Sequence, residues 1–187
     1  MTTQVLFIQG GGAGTYDDWD SKLADSLRRD LGPDYEVRYP RMPDEGDPDF
    51  TRWVAALGEE LDKLDAGAVL VGHSFGATII ALGLSRAPAV RPLAGVFLIA
   101  PPFFGEGGWA SDEVAFGPDL GAKLPPETPV RLYQGDQDAD VPPEHLDLYA
   151  TAIPRAVARR LPGRDHQLND DLSEVAADIR ALAPPLL

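Results

Sequence analysis

Residues 68–84 read AVLVGHSFGATIIALGL, and this stretch decides how the chain folds. The apolar run at 68–71 predicts a buried strand, and the run at 77–84 predicts a buried helix. Between them lies G-x-S-x-G, which in this context is typical of a nucleophile elbow, a sharp turn from a strand into a helix. We expect strained backbone angles at Ser74 and a hydroxyl that stands clear of the sheet. Gly72 and Gly76 fit this turn because strand and helix pass too close for side chains.

The elbow would place Ser74 at the N-terminus of a helix. Backbone N–H groups and the helix dipole at such a position favour negative charge that develops during a reaction. The five-residue pattern also arises by chance in a glycine-rich chain, so its meaning depends on what the remaining sequence supplies.

The remaining sequence alternates strands with helices. Five further strands are predicted at residues 5–8, 35–39, 93–100, 130–134 and 156–161. Helices are predicted around residues 23–31, after a cap at Asp49, after Pro142-Pro143, and after a cap at Asn169 or Asp170. Residues 101–126 are interpreted as a long loop with one helical turn near 111–116. This α/β pattern predicts a six-stranded, mostly parallel sheet with helices on both faces, in one domain spanning residues 1–187.

Composition narrows the functional classes. The chain has 187 residues and a formal net charge of −14, which argues against nucleic acid and anionic membrane surfaces as partners. It has no cysteine, so thiolate chemistry and cysteine metal sites are excluded. No apolar stretch is long enough to span a membrane. The first strand begins near Gln4 and leaves no room for a signal peptide, so we expect a cytoplasmic protein.

Four motifs follow one another along nearly the whole chain: QGGG at 9–12, GHSFG at 72–76, YQGDQDADVP at 133–142 and GRDH at 163–166. With these motifs in this order, the sequence resembles the α/β-hydrolase superfamily. The resemblance implies a serine hydrolase, most often a carboxylesterase, that cleaves a small-molecule ester without a cofactor. Two departures stand out. The family's first two strands are absent, and its cap domain is reduced to the loop at 101–126.

The candidate base is one of three histidines. His73 adjoins Ser74 in the chain, and its side chain is expected to point away from the elbow. His145 follows Pro142-Pro143 and is expected to be a solvated helix residue. His166 lies in a loop between the last strand and the last helix, the position that the resemblance implies for the base. A neutral imidazole there can take the Ser74 proton and return it to the leaving alcohol.

The acid that orients the base is expected after the fifth strand, where Asp136, Asp138 and Asp140 compete. Members of the superfamily commonly carry a glycine that closes this strand, the acid three residues later, and an apolar-Pro pair three residues after that. With Gly135 as the glycine, the pattern selects Asp138, whereas Asp140 is better placed to cap the next helix. Glu106, after the fourth strand, is the outside alternative.

An oxyanion hole needs two backbone N–H donors aimed at one point. We expect one from Phe75 and the other from Gly11 or Gly12. A dinucleotide-binding interpretation of the glycine loop fails on spacing, since the position of the third glycine, counted from Gly10, is Thr15.

Substrate and metal predictions rest on fewer residues. Phe103 and Trp109 could line an apolar substrate pocket, although packing is an alternative role for each. No metal is expected, because the chain has no cysteine and no paired-histidine motif. Two other functional classes stay open: a peptidase or thioesterase that uses the same catalytic triad, and a non-catalytic binding protein on a hydrolase fold.

Overall fold

The computed structural model describes residues 2–87 and 89–182; Met1, Pro88 and residues 183–187, which the predicted domain includes, lie outside the described residues. The six predicted strands are present, with these bounds: β1 Thr3–Ile8, β2 Tyr35–Arg38, β3 Ala68–His73, β4 Leu93–Ile99, β5 Val130–Gly135 and β6 Val157–Leu161. The helices are α1 Asp20–Leu31, α2 Phe50–Leu61, α3 Phe75–Arg86, α4 Leu120–Lys123, α5 Glu144–Ala152 and α6 Ser173–Arg180.

The strands form one sheet in the order β2-β1-β3-β4-β5-β6. Every neighbouring pair is parallel, so the predicted parallel sheet is confirmed. The strand order reverses between β1 and β3, where Gly72 pairs with Ile8 on one side and with Leu98 on the other. The crevice at such a reversal, at the carboxyl ends of the strands, is where open α/β sheets bind ligands. The ends of β1 and β3 therefore locate the candidate site.

Helices cover both faces of the sheet. Along β3, Leu70 packs into a core with α2, α3 and α5, whereas Val69 and Val71 pack into a second core with α1 and α6. Side chains on a strand alternate between faces, so an unbroken apolar run is what a strand with two covered faces requires. This burial on both sides fixes β3, and with it the position of Ser74, at the centre of the molecule.

The cap predictions had mixed outcomes. Asp49 caps α2, because its carboxylate accepts a hydrogen bond of 2.7 Å from the Arg52 N–H. Neither Asn169 nor Asp170 caps the last helix. Both lie in a tight turn with positive φ, and Asp171 instead accepts a 2.9 Å hydrogen bond from the Ser173 N–H. The sequence pattern placed the helix start a few residues early because this turn was not recognised.

The segment at 101–126 contains one short helix, but the predicted turn at 111–116 was wrong. The helical turn is α4 at Leu120–Lys123, whereas the Ser111 hydroxyl accepts hydrogen bonds from two following N–H groups in a non-helical turn. Three residues of this segment, Phe103, Val114 and Phe116, are buried in the core. The segment is therefore packed onto the body of the protein in the place where the superfamily carries a cap domain.

Candidate active site

Ser74 occupies the junction between β3 and α3 in a conformation that L-residues rarely adopt, with φ 51° and ψ −124°. Strain of this kind costs on the order of 1–3 kcal/mol and persists only where the surroundings impose it. Here the Ser74 N–H donates a 2.8 Å hydrogen bond to the Ile99 carbonyl at the end of β4, which holds the turn against the sheet.

Two glycines allow this turn to form. A Cβ on Gly76 would lie 2.1 Å from the Gln9 carbonyl oxygen, and one on Gly72 would lie 2.6 Å from Ala77 Cα. No larger residue fits at either position unless the backbone moves. The sequence-based reason for both glycines, a close approach of backbone segments, matches these contacts.

Asp138 follows β5 and carries a side chain with no solvent exposure. One carboxylate oxygen, Oδ1, accepts hydrogen bonds of 2.9 Å from the N–H groups of Asp140 and Val141. The other, Oδ2, lies 2.9 Å from His166 Nδ1 and accepts a 3.1 Å hydrogen bond from Gln134 Nε2. Burial favours the neutral carboxyl, but His166 and the two backbone N–H groups outweigh it and lower the pKa of Asp138 below its ordinary value.

The competing acids occupy other positions. Asp136 is exposed, and its carboxylate accepts a 2.7 Å hydrogen bond from the Gly163 N–H, which ties two loops together. Asp140 is exposed. It does not cap α5 as expected, because no side chain makes a capping hydrogen bond at the start of that helix. Glu106 is exposed and is not among the residues that line the cavity described below. Of the four acids considered, Asp138 alone has a carboxylate within hydrogen-bond distance of His166 Nδ1.

The loop that carries His166 is anchored on both sides of that residue. Gly135 lies so close to it that a Cβ would come within 2.0 Å of the Arg164 carbonyl oxygen. The Arg164 guanidinium donates to Asp171 and Glu174 and to the Leu168 carbonyl. These bonds hold His166 over the end of β5, with its side chain 13% exposed.

The glycine loop after β1 offers one free N–H to the site. The Gly10 N–H donates 2.7 Å to the Asp20 carboxylate, and the Gly12 N–H donates 2.6 Å to the Glu45 carbonyl. In the described part of the chain, the Gly11 N–H has no such partner. Of the two expected donors, the geometry therefore favours Gly11 over Gly12.

Gly11 also lies beside the elbow. A Cβ on Gly11 would be 3.5 Å from Phe75 Cβ, so the two backbones adjoin. The Phe75 N–H is the first of α3, and the first N–H groups of a helix have no carbonyl partner within it. These two N–H groups are the candidate oxyanion donors.

Ser74 and His166 line one cavity of about 610 Å³, together with Gly11, Phe75 and Trp109. Across residues 2–87 and 89–182, the Ser74 hydroxyl has no hydrogen-bonded side-chain partner. Nucleophile–base contacts are often long before substrate enters and tighten in the complex.

The two predicted pocket residues differ in placement. Trp109 lines the cavity and is 39% exposed. Phe103 does not line it. Phe103 is 4% exposed and packs edge-on against Tyr149, with ring centroids 5.1 Å apart, so its role is in the core. The sequence did not indicate which of these two aromatic residues would be buried in the core, because both lie in the same loop.

His145 was expected to be solvated, and this was wrong. It is 3% exposed, and its Nδ1 accepts a 2.8 Å hydrogen bond from the Phe103 N–H. Burial lowers the pKa of His145, which keeps the ring neutral. The first turn of α5 packs beneath the segment at 101–126, a contact between distant parts of the chain that the Pro-Pro start does not predict.

Asp20 is a buried residue that the sequence reasoning missed. Its carboxylate has no solvent exposure and lies 2.9 Å from His73 Nδ1. A signal was present, because Asp20 precedes Leu23 and Leu27 at the spacing of the buried face of α1.

Asp138, Asp140 and His166 bring three potential metal ligands within 4.8 Å of one another. The oxygens of Asp138 already accept bonds from N–H donors and face His166 Nδ1. A cation here would have to displace those bonds, so the donor set fits an acid–histidine pair better than a metal site. Separately, none of the helices in the described chain is long and apolar enough to cross a membrane.

A parallel sheet with helices on both faces and a serine in a strained strand–helix turn at its carboxyl edge defines the α/β-hydrolase architecture. A family model described as "Alpha/beta hydrolase family" matches residues 5–187. The chain belongs to this family.

Solved structures agree with this fold. The ydeN gene product from B. subtilis has a TM-score of 0.73 and 19% identity, covering 96% of this chain and 100% of that one. Est1E from Butyrivibrio proteoclasticus, solved with ferulic acid bound, has a TM-score of 0.68 and 16% identity, covering 95% and 86%. The thioesterase domain from the curacin biosynthetic pathway has a TM-score of 0.69 and 17% identity, covering 96% and 92%. At these identities the likeness concerns the fold alone, and no curated protein matches the sequence.

Proposed function

We propose that this protein is a serine hydrolase that cleaves small carboxylic esters, with Ser74 as nucleophile, His166 as base and Asp138 as the orienting acid. One observation carries the proposal: the buried Asp138 carboxylate lies on His166 Nδ1, while His166 and the strained Ser74 line the same cavity. A carboxylate on Nδ1 keeps a proton on that nitrogen and leaves Nε2 free to accept one.

The chemistry proceeds through an acyl-enzyme. Ser74 Oγ attacks the ester carbonyl carbon as His166 Nε2 takes its proton, and the Phe75 and Gly11 N–H groups donate to the oxyanion. The intermediate collapses, the ester C–O bond breaks, and His166 gives its proton to the leaving alcohol. Water then attacks the acyl-enzyme with His166 again as base. The acid is released and Ser74 regains its proton.

The cavity lining indicates which esters fit. Trp19 and Trp109 present partly exposed indole rings to it, and the carboxylates of Asp140 and Asp165 lie on its wall. Among the described residues that line the cavity, there is no lysine or arginine. Neutral esters are therefore better substrates than esters that carry a carboxylate, which these two acids would repel.

The test combines covalent labelling with turnover. A fluorophosphonate probe should label the wild type at Ser74, and Ser74→Ala should lower kcat for p-nitrophenyl acetate by on the order of 10⁴ or more while the protein stays folded. Ser85→Ala is the matched control, because Ser85 lies on the same helix, and among the described residues its hydroxyl donates only to the Leu82 carbonyl. Near-normal turnover by the Ser74→Ala variant would remove the triad assignment.

The wild type and both variants are screened on esters, thioesters and aminoacyl amides. Preference for esters is expected. Faster cleavage of thioesters or amides would move the proposal to a thioesterase or a peptidase. A folded wild type that neither takes the probe nor turns over any substrate would favour a binding protein.

A further inference from the structure

A second acid–histidine pair lies behind the candidate triad. His73 is 1% exposed and the Asp20 side chain is fully buried. His73 Nδ1 lies 2.9 Å from Asp20 Oδ2, and His73 Nε2 lies 3.0 Å from the backbone carbonyl oxygen of His166. Neither residue has a role in the proposed acyl transfer.

The partners of His73 determine its protonation. A carboxylate oxygen and a carbonyl oxygen are both acceptors, and a neutral imidazole has only one N–H to donate. Both contacts are satisfied when His73 carries a proton on each nitrogen. Burial opposes that charge, but the charge and hydrogen bond of Asp20, the His166 carbonyl and the more distant Asp138 outweigh it, so the pKa of His73 is raised.

The Asp20–His73 pair connects three segments that must be correctly placed relative to one another for acyl transfer: the glycine loop, the Ser74 turn and the His166 loop. Asp20 accepts from the Gly10 N–H, one residue before the candidate oxyanion donor Gly11. His73 directly precedes Ser74 in the chain. Its Nε2 holds the backbone of His166, and the two imidazole rings have centroids 4.8 Å apart.

We propose that Asp20 and His73, the latter as an imidazolium, are positioning residues that set the oxyanion loop and the His166 loop relative to Ser74. The inference rests on the proposed serine-hydrolase function. A buried ion pair is weak evidence for a gain in stability, because apolar replacements are often as stable. A misplacement of about 1 Å in a catalytic group, in contrast, lowers the rate by on the order of 10².

The protonation of His73 can be measured without any activity. In ¹⁵N-labelled wild type at pH 8, imidazole ¹H–¹⁵N spectra should show protons on both nitrogens of His73. In Asp20→Asn the amide oxygen stays at the Oδ2 position, to which the Gly10 N–H donates, so the NH₂ group takes the place of Oδ1, which also lies 2.9 Å from His73 Nδ1. The NH₂ group donates to Nδ1, and His73 should become a neutral ring. A wild-type His73 with one bare ring nitrogen at pH 8 would overturn the imidazolium assignment.

The positioning role is tested by kcat and KM. In His73→Asn the shorter side chain keeps a donor for Asp20 but does not reach the His166 carbonyl, so kcat should fall about 10²-fold with KM changed less than about threefold. Asp20→Ala should cause a similar loss. Asp20→Asn should recover most of the activity, since the amide still accepts from Gly10 and stays bonded to His73. Equal losses in Asp20→Asn and Asp20→Ala would show that charge, not placement, matters, and would overturn the positioning role.

Asp178→Asn is the control for a merely structural acid. Asp178 accepts from Tyr133 and Arg159, and none of these three residues lines the cavity, so this change should lower the melting temperature but not kcat. If His73→Asn is folded and keeps wild-type kcat, the positioning proposal fails. If His73→Asn does not fold, the comparison of the two Asp20 variants decides. If the wild type takes no fluorophosphonate, the function fails, while the spectra still test the pair.

Discussion

Asp138→Asn changes one atom of the carboxylate that lies on His166, and the hydrogen bonds around it fix how the amide must sit. Two backbone N–H groups, of Asp140 and Val141, donate to Oδ1, so the amide oxygen of the substituted side chain occupies that position. Its NH₂ group then takes the place of Oδ2, 2.9 Å from His166 Nδ1 and 3.1 Å from Gln134 Nε2.

This arrangement reverses the tautomer of His166. The NH₂ group donates to Nδ1, so the ring proton moves to Nε2, the nitrogen that accepts the Ser74 proton in the proposed mechanism. A histidine held in the wrong tautomer in this way costs about 10⁴ in kcat. The NH₂ group also meets the donor of Gln134, so some loss of stability accompanies the loss of activity.

The neighbouring acids supply two isosteric controls in the same loop. In Asp136→Asn the amide oxygen still accepts from the Gly163 N–H, so the cost is a weaker hydrogen bond, on the order of 1 kcal/mol at most, with kcat unchanged. Asp140→Asn removes a charge from the cavity wall but leaves the Asp138 carboxylate on His166, so stability and kcat for a neutral ester should stay near the wild-type values.

The assay is kcat for a short-chain p-nitrophenyl ester, with the melting temperature of each variant as the check on folding. The reasoning is refuted if folded Asp138→Asn retains kcat within about tenfold of the wild type, because a wrong tautomer cannot give that result. It is also refuted if Asp136→Asn or Asp140→Asn loses turnover instead. If none of the three does, Glu106 becomes the acid to test.

Four further outcomes are expected. Gly76→Ala should prevent folding or cost at least about 3 kcal/mol in urea unfolding, because its Cβ would lie 2.1 Å from a carbonyl oxygen. Gly58→Ala should be neutral or stabilising, because, apart from its own helix, no described part of the chain comes within 4 Å of the new Cβ. Because the pKa of Asp138 is lowered, its contribution to stability is present above about pH 4 and lost as the pH falls further, and a melting temperature constant from pH 5 to pH 2 would contradict this. The pKa of His73 is raised, so its contribution to stability has the opposite pH dependence. That contribution is complete below about pH 6.5 and is lost as the pH rises through the pKa of His73 in the folded protein. Asp20→Asn should abolish this decline. Short neutral esters should be cleaved faster than long-chain ones, with no rate increase at a lipid interface, since the segment at 101–126 is packed into the core; a jump in rate beyond the solubility limit of a long-chain ester would argue for a movable lid.

Local sequence was enough to predict the sheet. Apolar runs of strand length, separated by helical periodicities, require helices on both faces of a parallel sheet, and the structure has that arrangement. The elbow was predictable for the same reason. Its glycines, the strand before it and the apolar helix after it lie within residues 68–84 and depend on one backbone turn.

The distant partners in the site were only partly predictable. Spacing singled out Asp138, but its contact with His166 joins loops that are 28 residues apart in the chain. Family motifs anticipated that pairing, whereas composition and periodicity did not. Gly11 and Gly12 were indistinguishable as sequence, because the donor that is free depends on Glu45, which lies in another loop.

The sequence by itself therefore determined the order of elements, the strained position of Ser74 and the short set of acids and histidines that could serve it. Tertiary structure alone decided which polar groups are buried together. Phe103 and His145 entered the core, and Asp20 met His73 across 53 residues. The physical reason is that burial and hydrogen bonding depend on which segments pack against each other, and a pattern read along one segment contains no information about its neighbour in space.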